Sequence, residues 1–172
     1  MSTLARIRHT LALATFALWW GGFTFYALAV IPTAHNILHS HVRVGFITQQ
    51  VTHWINIAAV VALAFLLWEL LGSARFTARR RRWCWGAWLT IITMQTGLFL
   101  LHPMLDRLLD FAAREILDEP RFYFLHRLYL GLSTGQWLAA WIVWISLAGT
   151  TRLDDEPALP NPCLKPVQRR RD

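Results

Sequence analysis

Residues 52–71 read Thr52-His-Trp-Ile-Asn-Ile-Ala-Ala-Val-Val-Ala-Leu-Ala-Phe-Leu-Leu-Trp-Glu-Leu-Leu71, twenty residues with one charge, Glu69, near the end. At 1.5 Å per residue a helix of this length is about 30 Å long, the thickness of a bilayer's hydrocarbon core. The run lacks the alternation of a barrel strand, and in hydrocarbon a lone apolar segment satisfies its amides only as a helix. Residues 11–32, 83–102 and 128–149 have the same character. The first of these follows Arg6 and Arg8 as a signal peptide would. Its apolar run is too long for one, and no small-residue cleavage site precedes Pro32, so it reads as an uncleaved span.

The composition agrees. Of 172 residues, 55% are hydrophobic and 16% charged, with 10 Trp and 10 Phe. That is one domain with a tail, too apolar for disorder and too poor in charge for an ordinary soluble fold. The expected fold class is all-α, an integral membrane up-down four-helix bundle.

The net charge of +7 depends for its meaning on where the arginines sit. Arg6, Arg8, Arg75, Arg79, Arg80, Arg81, Arg82, Arg152, Lys165, Arg169, Arg170 and Arg171 fall on one side of the spans, twelve in all. Arg43, Arg107, Arg114, Arg121 and Arg127, five, fall on the other. The positive-inside rule then places both termini in the cytoplasm of a bacterial inner membrane. The run from Arg79 to Arg82 suits anionic headgroups rather than nucleic acid, since no folded domain surrounds it. Cys84 and Cys163 lie on the reducing side, too few for a disulfide framework. Residues 152–172 are polar, basic and proline-punctuated, which predicts a flexible cytoplasmic tail. Between spans three and four, Leu105, Leu108, Leu109, Ala112 and Ile116 recur at helical spacing. With Asp106, Asp110, Glu115 and Asp118 largely opposite, they predict a short amphipathic surface helix ended by Pro120.

Six of seven histidines lie at or beyond the outer ends of spans, and each span contributes one of His35, His53, His102 and His126. Each also heads a stripe of helical spacing: Trp20, Thr24, Leu28, Ile31 and His35; His53, Asn56, Val60, Leu63 and Leu67; Trp88, Ile91, Gln95, Leu98 and His102; His126, Tyr129, Ser133, Gln136 and Ala140. Thr24, Asn56, Gln95, Ser133 and Gln136 therefore form a polar layer, with Gln95 and Gln136 roughly 10–12 Å below the outer surface. In one reading these groups hold helices together while the histidines mark where water begins. In the other, His35, His53, His102 and His126 form a metal or haem site, for copper, zinc or iron, with the glutamines behind it. Proton relay or solute passage through the layer is a third. The inner halves of the spans, rich in Trp, Leu and Ile, argue against a continuous wet path.

Gly131, Gly135 and Ala139 form a small-residue stripe for close helix packing, inside the bundle or across a homodimer. Glu69 reads as structural, paired with a cytoplasmic arginine or the interface. No nucleophile motif, phosphate loop, carboxylate pair within one element or dinucleotide fingerprint is present, so nothing argues for an enzyme.

Taken together, Trp20-Gly-Gly-Phe-Thr-Phe-Tyr-Ala-Leu-Ala-Val-Ile-Pro32, Gly45-Phe-Ile-Thr-Gln-Gln-Val-Thr-His-Trp-Ile-Asn56, Leu101-His-Pro103 and Phe122-Tyr-Phe-Leu-His-Arg-Leu-Tyr129 resemble a bacterial family of four-helix membrane proteins, TMEM-type and CopD-like. In that family a Trp-Gly-Gly first helix ends in proline and a later helix opens with histidine. The resemblance spans roughly residues 18–137, and its copper-handling side implies metal binding through His53, His102 and His126. Met94 and Met104 stand alone, where a copper-transport pattern has methionine clusters. The leading expectation is a non-catalytic integral membrane component, the alternative a metal- or haem-binding one.

Overall fold

The computed structural model describes residues 2–72, 76–110, 113 and 115–154. Its elements are α1 (Thr3–Phe25), a π-helical turn (Tyr26–Val30), α2 (Ile31–Leu38), α3 (His41–Gly72), α4 (Ala78–Asp106), β1 (Leu109–Asp110), β2 (Glu115–Ile116) and α5 (Glu119–Asp154). α1, the π turn and α2 form one continuous rod, so four helical rods result, each long and apolar enough to cross a membrane.

Each rod begins where a short polar side chain can accept from an otherwise orphaned first-turn amide. Ser2 accepts from Ala5 N, Ser40 from Arg43 N, Thr77 from Arg80 N and Asp118 from Arg121 N. Cross-helix contacts show consecutive rods to be antiparallel. Arg8 of α1 meets Glu69 of α3, Gln49 and Asn56 of α3 meet Asp106 and Gln95 of α4, and Arg80 and Gln95 of α4 meet Ile145 and Gln136 of α5. One end of the bundle therefore carries both termini, and the other carries the α2–α3 connection and the hairpin.

The core is in two parts. Toward the terminal end Phe16, Leu63, Leu66, Leu70, Ile91, Val143 and Leu147 are fully buried. Toward the far end Leu98, Leu101, Leu105, Leu125 and Tyr129 pack between α4 and α5. α1 meets α5 through Trp20, whose ring lies 4.5 Å from that of Trp141 in edge-to-face geometry, with Trp137 and Trp144 alongside. The outward faces are as apolar as the core: Leu18 and Leu28 are 75% exposed, and Trp54, Leu100, Phe124 and Ile145 are also exposed. A bundle in water hides such a surface, whereas hydrocarbon solvates it.

Three sequence expectations are corrected here. The amphipathic surface helix does not form. Leu105 completes the buried stripe Leu98, Leu101, Leu105 of α4, which continues through Pro103 to Asp106, and Leu109 and Ile116 pair across a two-residue antiparallel hairpin. Ala112 lies outside the described residues. Pro120, expected to end that helix, instead opens α5 next to the Asp118 cap, where the missing proline N–H costs nothing. Span one does not stop at Pro32 but runs to Leu38, because the π turn just before it accommodates the proline, with Ile31 N donating to Tyr26 O. Span four is likewise longer than 128–149 and carries α5 to Asp154. Of the expected tail, residues 155–172 lie outside the described residues, Cys163 among them.

Candidate functional site

Asn56, Gln95 and Gln136 sit at one level on α3, α4 and α5, each buried on its helix's inner stripe. A primary amide carries donors and acceptors together, so a row of them can be satisfied head to tail. Gln136 Nε2 donates to Gln95 Oε1 at 2.7 Å, Gln95 Nε2 to Asn56 Oδ1 at 3.2 Å, and Asn56 Nδ2 to the Tyr129 hydroxyl at 2.9 Å. The file thus ties three helices and returns to α5. The other two members of the expected layer stand apart from it. Ser133 donates to the Tyr129 carbonyl of its own helix, and Thr24 accepts from Trp137 Nε1 at 2.9 Å between α1 and α5.

Above the file, toward the far end, the His102 ring lies 6.4 Å from that of Tyr129 and 5.9 Å from that of His53. Asp106 is one helical turn beyond His102, with Oδ2 3.8 Å from its Nε2, and its other oxygen accepts from Gln49 Nε2 at 2.6 Å. Asp106 is therefore an interhelical acceptor, not the solvated side of a surface helix. His126 stacks on Phe122 with ring planes 6° apart, and the ring of His35 turns back toward the Ile31 carbonyl of its own helix. Of the four outer histidines, His53 and His102 are the facing pair. Among the described residues no three His, Cys, Asp or Glu side chains form a group able to hold a metal ion.

A second buried cluster occupies the terminal end. Glu69, 1% exposed, accepts from Arg8 Nε at 2.7 Å through Oε2 and faces His9 Nδ1 at 3.2 Å through Oε1. Sequence reasoning had Glu69 pairing with an arginine but left His9 aside as a residue before the first span. The signal was present: His9 heads the buried stripe His9, Ala12, Phe16, Trp19 of α1. Fully buried leucine, isoleucine and phenylalanine separate this cluster from the amide file.

The small-residue stripe divides. A Cβ on Gly135 would meet Met94 Cε at 2.8 Å, so Gly135 admits α4; Ala139 packs on the core; Gly131 has nothing within 4 Å. Across the same contact Gly97 of α4 makes room for Leu132. Of the arginine run, Arg79, Arg81 and Arg82 are exposed, while Arg80 donates to the Ile145 carbonyl.

Fold and site together define a class: a four-helix bundle of membrane-crossing length, with a hydrogen-bonded amide file at its centre and an ionic cluster at one end. Comparison of the chain with protein-family models, curated proteins and solved structures returns no match.

Proposed function

We propose that the chain is a multi-pass protein of the bacterial inner membrane, with both termini in the cytoplasm, acting as a non-catalytic structural or accessory component. The amide file carries this reading. Its members spend their donors and acceptors on one another across three helices, which is how polar side chains hold membrane helices together. The apolar outward faces and the twelve-to-five distribution of basic residues support insertion and orientation. Arginines at the N-terminal turn of α4 are poorly placed for the helix dipole, which strengthens their attraction for anionic headgroups. The open face at Gly131 offers a surface for a homodimer. Replacing Asn56, Gln95 and Gln136 together by Leu removes the polar partners as a set. Folding and complementation of a deletion strain should then persist. Complementation lost from a folded, inserted variant would give the file a chemical role and overturn the reading.

The facing imidazoles of His53 and His102, with Asp106 beyond, favour a second reading, a copper, zinc or haem-iron centre at the outer face. It is also what the resemblance to CopD-like proteins implies. Elemental analysis of protein purified in mild detergent decides it. Near-stoichiometric metal that disappears when His53, His102 and His126 are all replaced by Ala supports the centre, and metal at background after supplementation removes it.

A further inference from the structure

A groove of about 430 Å³ opens sideways between α1 and α3, walled by Leu18, Trp19, Gly22, Tyr26, Trp54 and Ala58 among others. Its walls are almost wholly apolar. Two features mark it out from an incidental crevice. Gly22 has nothing within 4 Å of a Cβ position, so the missing side chain keeps the groove open. Tyr26, 6% exposed, contributes a buried hydroxyl with no hydrogen-bond partner at bonding distance. Thr48 is alongside, but its own hydroxyl proton goes to the Val44 carbonyl at 2.8 Å. Tyr26 opens the π turn, a feature that recurs at functional sites.

The depth of the groove identifies its occupant. α3 has 32 residues and is about 48 Å long, so roughly 9 Å at each end projects beyond a 30 Å hydrocarbon core. Thr48, seven residues into α3, lies at about 10 Å, the level where core gives way to headgroups and the ester carbonyls of glycerolipids reside. The groove descends α3 from Val51 to Ala58, near the helix midpoint, and so covers about one leaflet. We propose that this groove binds one acyl chain of an outer-leaflet glycerophospholipid, whose ester carbonyl accepts a hydrogen bond from the Tyr26 hydroxyl. The site rests on the membrane reading above. The lipid supplies the acceptor that the buried hydroxyl otherwise lacks.

The test is photolabelling of the full chain in liposomes of phosphatidylethanolamine and phosphatidylglycerol doped with a phospholipid carrying a mid-chain diazirine. Labelled peptides are mapped by mass spectrometry. Label should concentrate on residues 18–30 and 51–58. Gly22→Leu, which fills the groove, should reduce it to the level of the other outward faces, and Tyr26→Phe should lower it about fivefold, the worth of one hydrogen bond. Thermal unfolding checks that both variants fold, and Tyr26→Phe, the milder change, carries the test should Gly22→Leu fail to. Label spread evenly over all four rods would overturn the site. Label displaced by an isoprenoid quinone but not by unlabelled phospholipid would overturn the choice of occupant. Flotation of the liposomes separates the two levels: protein that does not float with them overturns the membrane reading, whereas floating protein with even label overturns the groove alone.

Discussion

Glu69 bears the largest energetic load of any single side chain in the bundle. A carboxylate removed from water is tolerated only while its charge is matched, and Arg8 and His9 do the matching. Glu69→Ala would leave the guanidinium, 12% exposed, without its partner. The expected cost is about 3–5 kcal/mol, read from unfolding in detergent. Replacing Arg8, His9 and Glu69 together by Met or Leu should recover most of it, because no charge is left stranded. A triple variant as unstable as Glu69→Ala would mean that the cluster does more than neutralise itself. The amide file obeys the same logic at smaller scale. Gln95→Leu orphans Gln136 Nε2 and Asn56 Oδ1 and should cost about 1–3 kcal/mol. Much of this was legible in the sequence, since Glu69 is the one acidic residue inside an apolar run and three amides recur on inner stripes. His9 was not, because it lies two residues before the apolar run begins.

Among the elements, periodicity was reliable inside the spans and misleading where one element handed over to another. Ile91, Gln95 and Leu98 lie on the inner face of α4, and Tyr129, Gln136 and Ala140 on that of α5, as constant helical spacing requires. On span one the same counting placed Leu28 inward, yet it is 75% exposed and Tyr26 is buried instead. The π turn inserts an extra residue and rotates the face, and nothing in the apolar pattern marks it except Pro32 two residues on. Leu105 and Ile116 likewise fit one helical stripe by spacing, but belong to α4 and to the hairpin. Glycines on α5 can be sorted in the same physical terms. Gly135→Val forces a branched side chain onto Met94 and should cost about 1–3 kcal/mol by overpacking. Gly131→Val, facing open space, should leave monomer stability nearly unchanged. Cross-linking of the Gly131→Val variant in membranes then reports on the homodimer: dimer lost at normal stability places the interface on this face.

For the molecule as a whole, orientation follows from charge, and the structure sorts the charges by end. The terminal end carries Arg6, Arg8 and the run from Arg79 to Arg82, while Arg43, Arg107, Arg121 and Arg127 lie at the end of the hairpin. Lys and Arg resist translocation, so the richer end should remain on the cytoplasmic side. Single cysteines test this directly in a background of Cys84→Ser and Cys163→Ala. Asn36→Cys reports the far end and Ala78→Cys the terminal end, and both positions are exposed. A membrane-impermeant maleimide applied to intact spheroplasts should label Asn36→Cys at once and Ala78→Cys only after permeabilisation. The inverse pattern would reverse the topology, moving the facing histidines and the lipid groove to the cytoplasmic leaflet. Labelling of both in intact spheroplasts would mean that the rods do not cross, and the apolar outward faces would then have to be covered by something other than a bilayer. Neutralising Arg79, Arg81 and Arg82 with Gln sharpens the result. Each arginine near an anionic surface contributes roughly 1 kcal/mol, so the triple variant should show a measurable inverted fraction. A fully normal orientation would shift the topogenic role to the remaining cytoplasmic arginines.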